Sequence, residues 1–252
     1  MSLPKVVRLL AAVVGILCAT PARASELGLT RPASGSWRTL EFPKIPRHTT
    51  YTVVQDAGLD VFKAEAECSA SARYLPLDHV DLAHTPRLHW RWRVEQGLAP
   101  HDERVKTGED FAARVYVMFA FDAAHASFLE RVRHRVAGVL YGDVAPGNVI
   151  NYVWSSREPK GARWESPYDA GARLIALGSG VLPEWREEVV DVANDYAAAF
   201  GQAPPPALAI AVMTDTDNTC QRATAYYADF RFLSRQWSEI RRIEAQMKTN
   251  AD

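Results

Sequence analysis

The chain has 252 residues, a formal net charge of −1 from 29 basic and 30 acidic side chains, and a hydrophobic fraction of 48%. This near balance of charge lacks the basic stripe that binds nucleic acid, so we expect no nucleic-acid partner. The hydrophobic fraction is sufficient for a full core, and the length suits one large domain or two small ones.

The first 24 residues have the pattern of a secretory signal peptide. Lys5 and Arg8 precede an apolar run at 9–19, and Ala22-Arg23-Ala24 supplies small residues around a cleavage point. No later run approaches the roughly 20 apolar residues that a membrane span needs. We therefore expect a periplasmic or secreted protein with no transmembrane segment after cleavage. Its net charge would be −4, because residues 1–24 contain three basic side chains and no acid.

Two cysteines remain after this cleavage, Cys68 and Cys220. In an oxidising compartment such a pair tends to form a disulfide, which would here tie an early strand to a late one. Two buried free thiols are the alternative, and the sequence alone leaves both open.

Apolar and polar residues alternate with a period of two along much of the chain, which is the pattern of half-buried β-strands. The clearest segment is 88–94, whose apolar face consists of Leu88, Trp90, Trp92 and Val94. Segment 110–121 repeats the pattern, with an apolar face of Val115, Val117, Phe119 and Phe121. Further strands are predicted at 51–54, 62–72, 149–154, 173–177, 185–190, 207–214 and 225–233.

Helical spacing is confined to segments at 124–139, at 192–200 and through the C-terminal residues from Trp237 to Met247. Many strands without a regular alternation of strand and helix favour a mainly β protein, an antiparallel β-sandwich, over a doubly wound sheet. We therefore expect a signal peptide at 1–24, a single sandwich domain at 25–233 with two or three short peripheral helices, and a helical tail at 234–252.

The densest polar cluster is Thr214–Thr219, which directly follows the apolar run ALAIAVM. Asp215, Asp217 and Asn218 offer oxygen ligands at a sheet edge, where they suit a calcium ion or hydrogen bonds to sugar hydroxyl groups. The segment lacks the glycine and the bidentate glutamate of an EF-hand loop. A turn in which these side chains cap backbone amides is the alternative that needs no ligand.

A second polar cluster surrounds the strand at 110–121. An acid, a guanidinium and a phenol, from Asp110, Arg114 and Tyr116, lie on the face opposite the apolar one and can line a groove; a surface ion pair is the alternative. Trp154 stands before a long polar loop and Trp164 lies within it, where binding residues commonly occur. The predicted ligand site consists of Asp110, Arg114, Tyr116, Trp154, Asp215, Asp217 and Asn218.

The chain contains no HExxH, GxSxG, P-loop or GxGxxG motif. Polar and aromatic residues at strand ends, without such a motif, favour an exported protein that binds a small molecule or a glycan of the cell envelope over an enzyme. The sequence does not determine its oligomeric state.

Two other functions stay open. In a polysaccharide hydrolase, Asp110 and either Asp215 or Asp217 would act as paired carboxylates, roughly 5 to 9.5 Å apart in an open cleft. In a structural domain, Asp215, Asp217 and Asn218 would hold calcium, the one cofactor that the sequence suggests.

Several blocks, taken in order, resemble an exported bacterial family known only as a domain of unknown function. They are LHWRWRVE, EDFAARVYVMFAF, NYVWSS, AIAVMTDTDNT and AYYADFRF, and the resemblance as a whole extends from about Tyr51 to Leu233. The resemblance implies one exported domain and no particular activity. Where that pattern leads us to expect glycine after DTDNT, this chain has Cys220, which favours a disulfide with Cys68. The strand pattern is also similar to that of jelly-roll carbohydrate-binding modules, which implies a jelly-roll-like fold and no function by itself.

Overall fold

The structure is a computed structural model, and it describes residues 26–29, 31–56, 58–123 and 147–237. The predicted signal peptide, the predicted helix at 124–139 and nearly all of the predicted C-terminal tail lie outside these residues. The described strands are β1 (Glu26–Gly28), β2 (Arg38–Leu40), β3 (Thr50–Asp56), β4 (Leu59–Glu67), β5 (Ala72–Val80), β6 (Arg87–Gln96), β7 (Ala113–Phe119), β8 (Val149–Ser155), β9 (Arg163–Glu165), β10 (Ala172–Ser179), β11 (Leu182–Asp191), β12 (Ala207–Met213) and β13 (Arg222–Leu233). The described helices are α1 (Val192–Phe200) and the short 3-10 turns Pro32–Ser34 and Lys106–Gly108.

The strands form two sheets that pack face to face. Sheet A has the order β11-β6-β13-β4-β3, with β1 also paired to β13, and sheet B has the order β2-β5-β12-β7-β8-β10-β9. Among the described strands, β8 and β10 run parallel, whereas the other pairs are antiparallel. The chain crosses back between β8 and β10 and adds β9 at the edge of the sheet. The predicted mainly β sandwich is confirmed, with this parallel pair as its local departure.

Aromatic and aliphatic side chains fill the space between the sheets, as the period-two pattern predicts. Trp90 and Trp92 of β6 are both 0% exposed. Their rings meet inward-facing rings of sheet B, with centroids 5.6 Å apart for Trp90 and Tyr152 and 5.8 Å apart for Trp92 and Trp154. The core is therefore built from rings contributed by both sheets.

Trp154 belongs to this core, which corrects the prediction that it faces a ligand. Its side chain is 4% exposed, and its indole Nε1 donates a hydrogen bond of 2.8 Å to the carbonyl of Gly180. A Cβ on Gly178 would stand 2.4 Å from the indole ring, so the missing side chain at Gly178 provides the space that the ring fills. Trp154 thus continues the inward-facing alternation of β8 to the end of that strand.

The predicted strand at 62–72 is wrong in its second half. β4 ends at Glu67 in sheet A, and the next strand, β5, begins at Ala72 in sheet B. Between them Cys68 has a φ of 46°, the left-handed conformation that interrupts a strand. A disulfide joins Cys68 to Cys220. The chain therefore changes sheets at the disulfide, and the sequence pattern did not reveal β5.

The helix predicted at 192–200 is confirmed as α1. The side chain of Asp191 caps its start by accepting a hydrogen bond of 3.0 Å from the backbone N–H of Asn194. Gly201, with a φ of 71°, ends it in the left-handed conformation that glycine adopts at low cost. Within the described ranges, no helix is long and apolar enough to cross a bilayer.

Candidate functional site

The two polar clusters of the sequence meet at one end of sheet B, where β12 ends and β7 begins. The two strands are antiparallel neighbours with Met213 opposite Arg114, so the loop after β12 meets the segment before β7. Six of the seven predicted site residues come together here, whereas Trp154 lies in the core. We call these six the Asp110 cluster: Asp110, Arg114, Tyr116, Asp215, Asp217 and Asn218.

Arg114 and Asp215 form a buried ion pair at the centre of this cluster. Their side chains are 5% and 2% exposed. The Nε of Arg114 donates to Asp215 Oδ1 at 2.8 Å, and its Nη2 donates to Asp215 Oδ2. The guanidinium also donates to the hydroxyl of Tyr116 at 3.1 Å and to the backbone carbonyl of Glu109. Charges are tolerated at this depth because their polar atoms have partners.

Burial and mutual attraction act in opposite directions on this pair. Burial alone would lower the pKa of Arg114, but the carboxylate of Asp215 raises it above its ordinary value. Burial raises the pKa of Asp215, while Arg114 opposes that effect. The guanidinium therefore stays charged, and removing either partner would leave the other uncompensated in a buried position.

Asp110 fastens the loop after β12 to the loop before β7. It is 0% exposed. One carboxylate oxygen accepts from the backbone N–H and the side-chain amide of Asn218, at 3.2 and 3.1 Å. The other accepts from the backbone N–H and the hydroxyl of Thr219, both at 2.6 Å. The carboxylate thus caps backbone amides, and its acceptor capacity is used within the protein.

This hydrogen bonding fits a calcium ion poorly. The closest ligand atoms of Asp110, Asp215 and Asp217 lie within 4.8 Å of one another, a spacing that a cation can bridge. However, four donors already occupy the carboxylate of Asp110, and a guanidinium neutralises Asp215. The side-chain oxygen of Asn218 also accepts a hydrogen bond, at 2.7 Å from the hydroxyl of Tyr168. A cation would have to displace these donors and lie next to Arg114.

The same contacts bear on the paired-carboxylate hypothesis. A hydrolase needs its two carboxyl groups in an open cleft. Asp110 and Asp215 are 0% and 1% exposed and are hydrogen-bonded within the protein, so this pair does not meet the requirement. The more accessible acid of the three is Asp217, which is half-buried.

Three loops meet beside the cluster at an edge that we call the rim: Lys106, Glu109, Ser166, Tyr168, Asp217 and Asn218. Lys106 and Tyr168 are exposed, Asp217 and Asn218 are half-buried, and Glu109 and Ser166 are buried beneath them. Tyr168 is 55% exposed, yet its hydroxyl lies 2.7 Å from Asn218 Oδ1 and 2.8 Å from the carbonyl of Lys106. The ammonium of Lys106 lies 5.5 Å from the centroid of the same ring. Glu109 accepts a hydrogen bond of 2.8 Å from the hydroxyl of Ser166. The rim therefore presents a surface aromatic ring that both neighbouring loops hold in place.

Two carboxyl groups of the rim have altered acidity. Burial raises the pKa of Glu109, although Arg114 and Ser166 oppose the shift. Burial also raises the pKa of Asp217, and the nearby charge of Asp110 adds to the effect. Both groups are thus more easily protonated than in an unfolded chain.

Sequence reasoning missed Ser166 and Tyr168, although it marked their long polar loop as a place for binding residues. It also missed Glu103, which is 0% exposed and joins the loop before β7 to the end of β8. Glu103 accepts hydrogen bonds from the hydroxyl of Ser155, at 2.5 Å, and from the backbone N–H of Ser156. No periodic pattern marks an acid in a loop as buried, so the sequence carried no signal for Glu103.

A concave surface lies on sheet A beside the disulfide. It is an open groove of about 490 Å³ with a mostly polar lining, which includes the charged side chains Arg47, Glu65, Glu67 and Arg222. Arg222 and Glu67 form an exposed ion pair at 2.6 Å across it. The groove has no tyrosine or tryptophan in its lining, in contrast to the rim.

Comparison with solved structures gives likenesses of fold at low sequence identity. A family 30 carbohydrate-binding module of a Clostridium thermocellum cellulosomal cellulase aligns with 84% of this chain and 98% of its own, at 10% identity and a TM-score of 0.45. A family 11 carbohydrate-binding module from Clostridium thermocellum was solved with a β-1,3-1,4-mixed-linked tetrasaccharide. It aligns with 83% of this chain and 95% of its own, at 6% identity and a TM-score of 0.40. The endoglucanase Cel12A from Rhodothermus marinus aligns with 83% of this chain and 99% of its own, at 12% identity and a TM-score of 0.41.

No curated protein sequence matches the chain. A family model does match it, over residues 35–231, which is most of the chain. The protein therefore belongs to the family described as protein of unknown function, DUF3047.

Proposed function

We propose that this protein binds a neutral glycan at the rim, outside the cytoplasm. The observation that carries the proposal is Tyr168, an aromatic ring 55% exposed at the surface and anchored through its hydroxyl to two loops. An exposed ring that is already ordered loses little conformational freedom on binding, and its face offers apolar contact to the C–H surface of a sugar.

Polar groups beside the ring suit the hydroxyl groups of a sugar. The half-buried Asp217 supplies carboxyl oxygens, and Asn218 supplies an amide that both donates and accepts. A binding site of this kind combines an apolar platform with a few fixed polar groups that determine orientation.

The charge of the site favours a neutral ligand over an acidic one. The Asp110 cluster and the rim contain the four acids Glu109, Asp110, Asp215 and Asp217, against the two cations Arg114 and Lys106. Arg114 is already paired with Asp215, so it does not offer its charge to a ligand. The negative field that remains would repel uronic acids and phosphorylated glycans.

The Cys68–Cys220 disulfide supports a location outside the cytoplasm, because such bonds persist in oxidising compartments. Together with the signal-peptide pattern of residues 1–24, it favours export to the periplasm or the medium. Secretion of the chain with its first 24 residues removed, detected by mass spectrometry of the mature N-terminus, would test this part of the proposal.

Binding is tested by titrating the purified mature protein with neutral di- to hexasaccharides built from glucose, galactose and N-acetylglucosamine. We expect the wild type to bind at least one series and Tyr168→Ala to weaken that binding at least about tenfold, as truncation of an interfacial aromatic anchor does. Tyr168→Phe keeps the ring but loses its two anchoring contacts, so its affinity should fall between those of the other two proteins.

Val53→Ala serves as a matched control, because Val53 is an exposed apolar residue of sheet A, 44% exposed and away from the rim. Its affinity should equal that of the wild type. Equal affinity of Tyr168→Ala and the wild type, or the absence of binding to every neutral series, would overturn the proposal.

A further inference from the structure

The groove on sheet A beside the disulfide is open to solvent and large enough for a small ligand. Its volume of about 490 Å³ lies within the usual range of ligand-binding pockets. Most of the side chains that line it are exposed or half-buried, in contrast to the buried acids of the Asp110 cluster. A ligand can therefore reach the polar groups that the groove offers.

The backbone around this groove is held in place at two points. The disulfide joins Cys68, which lies between two lining residues, to Cys220, which lies two residues before the lining residue Arg222. The segment that carries Arg47 is also anchored, because the carbonyl of Arg47 accepts a hydrogen bond of 3.1 Å from the backbone N–H of Ala70. Side chains that project from a fixed backbone lose less conformational freedom when a ligand binds.

One cation of the groove has no acid partner. The acids in and beside the groove each contact a basic side chain, with N···O distances of 2.6 Å for Glu67–Arg222, 2.7 Å for Glu65–Lys63 and 3.4 Å for Glu41–His48. The exposed guanidinium of Arg47 also lines the groove, and it forms no ion pair within the described part of the chain. A planar guanidinium binds a carboxylate through two parallel hydrogen bonds, so Arg47 suits an anionic group of a ligand.

A row of polar side chains crosses the groove from strand to strand. The strand register pairs Thr50 on β3 with Glu65 on β4, Glu65 with Thr224 on β13, and Thr224 with Gln96 on β6. Neighbouring strands are about 4.8 Å apart, so the row extends roughly 14 Å. Among the described residues, the hydroxyls of Thr50 and Thr224 and the amide of Gln96 have no hydrogen-bond partner in the protein. These neutral donors and acceptors match the hydroxyl groups of a sugar.

We propose that this groove is a second binding site, which takes a uronic acid unit of an acidic oligosaccharide. Arg47 binds the carboxylate of that unit, and Thr224 and Gln96 bind hydroxyl groups of the sugar. The site goes beyond the proposed function, because the negative field of the rim repels the same ligand. The lining has no tyrosine or tryptophan, so the affinity depends on the contact between charges and falls as the salt concentration rises.

The test titrates the purified protein with trisaccharides of galacturonate, glucuronate and mannuronate, and with their methyl esters, which keep the hydroxyl groups but lose the charge. We expect the wild type to bind at least one acidic trisaccharide, and its ester at least about tenfold more weakly. Arg47→Gln should weaken binding of the acidic trisaccharide by a similar factor. Tyr168→Ala should leave that affinity unchanged, so the groove and the rim are tested separately.

Arg38→Gln is the matched control, because Arg38 is an exposed arginine of β2 in sheet B and lies outside the groove lining. The same loss of charge at this position should leave the affinity unchanged. Tricarballylate, which has three carboxylates and no hydroxyl group, should bind at least about tenfold more weakly than the acidic trisaccharide.

Wild-type affinity of Arg47→Gln, an equal loss in Arg38→Gln, or the absence of binding to every acidic trisaccharide would overturn the site in the groove. Equal binding of tricarballylate and the acidic trisaccharide would overturn the assignment to a sugar. None of these results bears on the rim, whose ligand is neutral.

Discussion

The inter-sheet core and the Asp110 cluster are both buried, but the core consists of apolar side chains whereas the cluster contains charged ones. Trp90 and Trp92 anchor a core of rings and aliphatic side chains. Asp110, Arg114 and Asp215 are buried to nearly the same degree at the end of sheet B, yet all three carry ionisable groups. Apolar burial stabilises a fold directly, whereas burial of charges stabilises little after their desolvation.

This difference indicates that the two regions serve different ends. The core can be repacked with other apolar residues of similar volume at modest cost. The cluster gains little stability over an apolar replacement, but its hydrogen bonds set the positions of the three loops that carry the rim. We therefore interpret the core as the source of stability and the cluster as the support of a binding surface.

The largest effect on the free energy of unfolding is expected when one partner of the buried ion pair is removed. Arg114→Leu leaves Asp215 buried without its guanidinium, and we expect the free energy of unfolding to fall by about 3–5 kcal/mol. Arg114→Leu combined with Asp215→Leu should recover most of that loss, because an apolar pair can replace a buried ion pair. Urea denaturation of the single and double variants measures both effects.

Arg157→Leu is the matched control for this experiment. Arg157 pairs with Asp102 at 3.4 Å, and both side chains are about half exposed. The loss of such a surface pair changes stability by no more than about 1 kcal/mol. If the double variant were as unstable as Arg114→Leu, the ion pair would be a source of stability that an apolar pair cannot replace. That result would contradict the conclusion that the cluster, unlike the core, contributes little to stability.

A smaller effect is expected from the acids of the rim. Because burial raises the pKa of Glu109, this group binds its proton more readily in the folded state. Its contribution to stability is therefore complete below the pKa of the unfolded state and is lost as the pH rises through the folded-state pKa. Glu109→Gln keeps an acceptor for Ser166 and removes the titration.

We expect Glu109→Gln to match the wild type in Tm at pH 4 and to exceed it by a few degrees at pH 7 or above. Thermal unfolding across this pH range measures the difference. A variant that is less stable than the wild type at neutral pH would contradict the inferred direction, and it would show that the charged form of Glu109 stabilises the fold.

Local alternation was sufficient to predict the central strands and the inward face of β6, because one side of each strand is buried and the other is not. It was insufficient at Cys68, where a left-handed residue ends β4 and sends the chain to the other sheet. It also missed β9, which has three residues and is too short to show a period. The parallel pairing of β8 with β10 depends on how the loop between them crosses, which alternation does not encode.

The Asp110 cluster was predictable as two sequence segments rich in polar groups, but their contact depends on the pairing of β7 with β12. The sequence suggested ligand-binding carboxylates at Asp110 and Asp215, whereas Asp110 accepts hydrogen bonds from Asn218 and Thr219 and Asp215 pairs with Arg114. Tyr168 was not predicted, since a single tyrosine in a polar loop has no neighbour in sequence that marks it as anchored.

The most direct test of the central claim, that the rim is the binding surface, is backbone hydrogen exchange of the wild type with and without a bound neutral hexasaccharide. We predict slower exchange on binding in the rim loops, at 105–111, 164–168 and 215–219, and unchanged exchange in β3 and β4 of sheet A. Slower exchange confined to sheet A, around the groove that contains Arg47 and Arg222, would contradict the claim and place the ligand on the other sheet.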